Sequence, residues 1–168
     1  IALAMIPALM FPILKKHNEP LAIGYVIFRG ALETLGYISL VVCWLLLIVV
    51  ARQYVDSGAS ALFEDLGTVL VRASDPIIRS VGSIVFNLGA LMLYYVFYQA
   101  RLIPRWITVW GIVAAVLGLV AALAAVFGIN LDFLYYIMLP QEMVMAVWLI
   151  VKGFSSSTSE PVRAATAF

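Results

Sequence analysis

From Trp106 to Leu131 the chain carries no charged side chain, and that run decides the solvent it folds in. About 20 apolar residues in a helix cross the ~30 Å hydrocarbon core of a bilayer. An uncharged stretch of this length therefore reads as a membrane span rather than a helix of a soluble core. Composition extends the inference to the whole chain. Hydrophobic residues make up 65% and charged residues 11%, where soluble domains run near 45–50% and about 25%. The mean hydropathy of +1.10 agrees. The expected fold class is all-α, a polytopic transmembrane helical bundle.

Five apolar segments are legible. Segment A, Ile1–Leu14, would rise only ~21 Å as a helix and is expected to be the second half of a span whose beginning is missing. The start at Ile1, without methionine and inside an apolar run, fits that expectation. Segment B, about Leu21 to Ala51, follows Asn18-Glu19-Pro20, a helix-start signature. Segment C, Ile77–Ala100, follows the similar Ser74-Asp75-Pro76. Segment D is Trp106–Leu131, and segment E, Phe133–Val151, lies between Asp132 and Lys152. The one long connection, Arg52 to Arg79, places Leu62, Phe63, Leu66, Val69 and Leu70 at helical spacing among Glu64, Asp65 and Arg72. It reads as a short amphipathic helix, lying on the membrane surface or capping the mouth of the bundle. Residues 1–154 thus form a single transmembrane domain, and 155–168 a polar tail expected to be disordered.

Several function classes are disfavoured. A net charge of +1 and no basic stretch interleaved with aromatics leave nothing for nucleic acid. Cys43 and His17 are each the only residue of their kind, so neither a disulfide nor a clustered metal site is expected. No Gly-rich phosphate loop, His-Glu-x-x-His or Gly-x-Ser-x-Gly is present. The expectation leans away from an enzyme and calls for no cofactor and no metal. The expected partners are membrane lipids, with other membrane protein subunits as a further class.

The informative residues are those that are costly in lipid. Arg29 and Glu33 lie four apart near the middle of segment B and share a helix face. Asn87 falls near the middle of segment C, and Glu142 is ten residues from both Asp132 and Lys152. A charge at the bilayer centre costs from ~2.5 kcal/mol upward unless it faces the bundle or water. Arg29, Glu33, Asn87 and Glu142 are therefore expected to converge in one interior cluster. Beside Glu142, Pro140 removes a backbone donor and is expected to kink the span. The cluster reads either as a site for a ligand or a proton relay, or as a self-satisfied network that fixes helix register, with equal weight. In segment D, small residues four apart (Gly111/Ala115, Ala114/Gly118, Gly118/Ala122, Ala121/Ala125) permit close helix approach, here expected inside the bundle. Tyr94, Tyr95 and Tyr98, with Trp106 and Trp110, read as an interfacial aromatic belt.

Four strings carry a family likeness: Phe11-Pro-Ile-Leu-Lys-Lys-His-Asn-Glu, Ala22-Ile-Gly-Tyr-Val-Ile-Phe-Arg-Gly-Ala-Leu-Glu, Leu102-Ile-Pro-Arg-Trp and Gln141-Glu-Met-Val-Met-Ala-Val-Trp-Leu-Ile-Val-Lys-Gly-Phe. In these the chain resembles a bacterial multi-spanning membrane family, domain of unknown function 4386, over nearly all of Ile1 to Phe154. The resemblance implies about six spans in the complete protein and no mechanism. Its motif positions include Arg29, Glu33 and Glu142.

The functional expectation is an integral membrane protein that binds a small polar or lipidic ligand, or relays protons, at the Arg/Glu/Asn cluster. The alternative is a non-catalytic accessory or assembly subunit of a larger membrane complex. The expected location is the bacterial cytoplasmic membrane. Lys15, Lys16, Arg101, Arg105, Lys152 and Arg163 fall on one face against Arg52, Arg72 and Arg79 on the other, which puts the C-terminus in the cytoplasm.

Overall fold

The structure, a computed structural model, describes residues 2–155; from residue 156 onward the polar tail lies outside the described residues. The described chain is built from five helices: α1 (Ala2–Leu14), α2 (Glu19–Asp56), α3 (Ala61–Ala100), α4 (Arg105–Val126) and α5 (Asp132–Lys152). Four of them are long and apolar enough to cross a membrane: α2, the Arg79–Ala100 part of α3, α4 and α5. The short α1 is apolar throughout.

Helix α2 begins where its sequence provides a cap. The Leu21 backbone N–H donates to Asn18 Oδ1 at 3.2 Å. Glu19 faces the positive helix end, and Pro20 sits where a missing donor costs nothing. The equivalent signature before segment C behaves differently. Ser74-Asp75-Pro76 lies inside α3, because the amphipathic stretch after Ser60 is already helical and continues without a break into the span. Its register is held against α2, with Gly67 facing Leu47 and Val50. The amphipathic helix of the sequence is therefore present as the first part of a 40-residue helix. Helix α3 ends where Arg101 turns left-handed, with φ 51°, and Pro104 leads into α4. Helix α5 opens as a 3₁₀ turn, Asp132–Ile137, and becomes α-helical from Met138. Pro140 stands in the first turn of that α-helical part. Gly153, with φ 68° and ψ −163°, ends the helix in a conformation essentially restricted to glycine.

The buried core gathers at one end. Leu14, Ala22, Tyr25, Phe97, Ile103 and Ile107 belong to it, so the α1–α2 and α3–α4 turns lie together. The end of α5 joins them: the Ser155 N–H donates to the Leu102 carbonyl at 2.9 Å, and the Phe154 ring meets Phe97 edge-on. The other end is the α2–α3 hairpin, whose outer surface is open: Leu45, Leu46, Ile48 and Val49 are all exposed. Helices α3 and α4 pack most intimately. The small residues Gly111, Ala114, Ala115, Gly118, Ala121 and Ala122 are buried, as expected of a lipid-phase interface where backbones approach closely.

Candidate functional site

Arg29 sits in a π-helical stretch, Val26–Leu32, within α2. The wider turn of a π segment is uncommon and occurs preferentially at functional positions. The arginine lies flat across α3. A Cβ on Gly89 would come within 2.6 Å of Arg29 Cγ, so the glycine makes room for the aliphatic stem. Beyond it the guanidinium stacks over the Phe86 ring, 4.1 Å from its centroid, a favourable cation–π placement. Its Nη1 donates to Glu33 Oε2 at 2.7 Å, at the end of the π segment. Glu33 is buried. One side chain thus ties α2 to α3 and neutralises a buried carboxylate.

Two more helices contribute to the surroundings. Glu142, on α5, is half-buried and lies within electrostatic range of Arg29 and Glu33. Tyr25, buried one turn before Arg29, and Tyr94 on α3 feel the same charges. One guanidinium therefore faces two carboxylates. Arg29, Glu33 and Glu142, expected to converge, share this region.

Asn87 is placed otherwise. Its Nδ2 donates to the Ser83 carbonyl at 2.7 Å, and its Oδ1 is buried against Gly118 on α4, with no hydrogen-bond partner among the described residues. It belongs to the α3–α4 contact. Tyr94, seven residues on, repeats the pattern against Gly111. The Tyr94 hydroxyl donates to Gln141 Oε1 at 2.7 Å, and Gln141 Nε2 donates to the Ile107 carbonyl at 3.3 Å. This buried relay joins α3, α4 and α5 directly behind Glu142. Tyr94 is accordingly a core residue, whereas Tyr95 and Tyr98, and Trp106 on α4, are exposed as the belt reading requires. Asn87 and Tyr94 are seven residues apart, as are Gly118 and Gly111, so the two pairs meet at one antiparallel register. Among the described residues no three His, Cys, Asp or Glu side chains gather closely enough to hold a metal ion.

Beside the ion pair, α2 and α3 diverge. A cavity of about 830 Å³ opens between them, with Glu33 and Phe86 at its inner end and Arg72 and Arg79 at its outer end. Gly36 and Gly82 face open space, and both line it. Its volume lies within the ordinary range of small-molecule sites, ~300–1,000 Å³.

The model of a domain of unknown function, DUF4386, matches residues 1–153. The chain belongs to that family. No curated protein and no solved structure matches it. As a DUF4386 member with four helices apolar enough to span, it is an integral membrane protein. Its chemistry has to be argued from the residues themselves.

Proposed function

We propose that the Arg29–Glu33–Glu142 region is a binding site for a small polar ligand or an exchangeable proton, reached from the cavity beside Glu33. One observation carries the reading: a single guanidinium, bonded to Glu33, has a second carboxylate, Glu142, within electrostatic range. Arg29 is committed to Glu33 by the 2.7 Å bond, so Glu142 holds the surplus charge. A lone carboxylate at membrane depth is costly, and a proton or a ligand's donor group offsets that cost. A structural network would be expected to close its charges within itself. In a native mass measurement on protein extracted with its own lipids, the parent carries a reproducible small adduct. Glu142→Gln and Arg29→Ala, both folded, lose it. If both fold and keep every adduct, this region is no binding site.

The positive-inside distribution supports an orientation with the α1–α2 turn, the α3–α4 turn and the end of α5 on the cytoplasmic side. Their common placement at one end of the bundle is what that orientation requires.

A second reading, as an accessory subunit, draws on α2. Its most apolar 18-residue window has none of its residues buried. Lipid or a partner subunit covers such a face. A monomer of the chain's own mass after mild extraction from the native membrane argues against the partner.

A further inference from the structure

The cavity between α2 and α3 has an asymmetry that the polar site does not use. Its inner end is electrically closed, because Glu33 is already paired with Arg29. Its α2 wall, from Gly36 to Leu47, is uncharged and carries Leu40, Cys43 and Trp44. Its outer end holds Arg72, which is exposed and makes no ion pair among the described residues. Arg79 lines the same end but has an interaction partner of its own, so the unsatisfied positive charge is that of Arg72. From Glu33 to Leu47 the slot follows α2 for roughly 21 Å at ~1.5 Å per residue. One leaflet of hydrocarbon is about 15 Å deep, half of the ~30 Å core, so the slot is long enough to take the full depth of one acyl chain. The candidate span of α3 begins at Arg79, which puts the cationic end at the level of the headgroups.

We propose that this slot holds one acyl chain of an anionic phospholipid, its phosphate held at Arg72 and its chain running inward along Leu40 toward Phe86. A lipid with a net negative headgroup is selected by charge complementarity at the mouth. The apolar wall selects for chain and not for headgroup. The slot adjoins the Arg29–Glu33–Glu142 region at Glu33 and Phe86 and runs outward from them along the same cavity.

Gly36 and Gly82 supply the test, since a side chain at either would enter open space rather than meet a neighbour. Detergent-purified parent protein is titrated with dioleoylphosphatidylglycerol and, separately, with dioleoylphosphatidylcholine, and the bound fraction is read by native mass spectrometry. Labelling of Cys43, in the slot wall, by a small maleimide is followed in parallel. The anionic lipid is expected to bind at least 5-fold more than the zwitterionic one and to slow Cys43 labelling by a similar factor. Gly36→Leu and Gly82→Leu, which retain the parent's melting temperature, are expected to abolish both effects. Arg72→Gln is expected to keep the lipid but lose the preference. Equal binding of the two lipids by the parent overturns the headgroup assignment. A preference that survives both glycine variants, with Cys43 labelling unchanged, overturns the slot. The two readings are told apart by Glu142→Gln, which is expected to remove the small adduct and to leave the lipid preference and the protection of Cys43 unchanged.

Discussion

At the scale of single residues, two glycines on α4 carry more consequence than any charged group. A Cβ on Gly111 would meet the Tyr94 ring at 2.6 Å, and one on Gly118 would meet Asn87 Oδ1 at 2.4 Å. Both partners are buried and tied by hydrogen bonds to Gln141 and Ser83, so neither swings away freely. Gly111→Ala and Gly118→Ala are expected to destabilise the bundle by about 1–3 kcal/mol through overpacking. Gly36→Ala, facing open space on α2, is expected to be neutral or to stabilise by up to ~1 kcal/mol through helix propensity. Thermal melts in one detergent rank the three, and Asn87→Ala added to Gly118→Ala should recover most of the loss. The small-residue rows were legible in the sequence because lipid-phase packing leaves that mark. Which polar side chains they receive was not, because that depends on the rotation of α3 about its axis. Asn87 was therefore grouped with Arg29 by depth alone. Tyr94 was grouped with its exposed neighbours by residue type alone.

At the scale of elements, the spans were readable and their ends less so. Uncharged runs locate a helix in the membrane, but a proline signature marks a start only if nothing upstream is already helical. Before α2 the helix α1 has ended at Leu14 and the chain turns through Lys15–His17, and the Asn18 cap forms. Before segment C the amphipathic stretch is helical, and α3 runs through. Pro140 is the converse case. The helix changes from 3₁₀ to α just upstream of the ring, so Pro140 stands in the first turn of the α-helical part. Pro140→Ala is accordingly expected to shift stability by less than about 1 kcal/mol, where loss of a strained interior proline would shift it further. A calorimetric melt of the variant checks this. The π segment around Arg29 left no pattern in the sequence, since its widening answers contacts with α3 at Gly89 and Phe86.

At the scale of the whole molecule, α2 and α3 are too long for the hydrocarbon they cross. Their 38 and 40 residues rise roughly 57 and 60 Å, while a ~30 Å core takes up only about 39 Å of helix even at a tilt of about 40°. The hairpin around Ser57–Ser60 therefore reaches beyond the core on the side opposite Ser155. After Cys43→Ser, a cysteine at Gly58 is expected to react with a membrane-impermeant maleimide added outside the cell, and one at Arg101 only after permeabilisation. The reverse pattern inverts the assigned orientation. The same length gives the hairpin a mechanical character. Helix α3 runs unbroken from Ala61 to Ala100, meshed with α4 along its inner half, and any tilt of it would pivot at the Arg101–Pro104 turn. A swing of about 5° about that pivot carries the far tip through about 5 Å for a rod of ~60 Å. Near Asn87 the same swing amounts to under half of that. A partner that grips the tip beyond the core would hold the long arm of a lever whose short arm carries Phe86 and Gly89, the residues packed on Arg29.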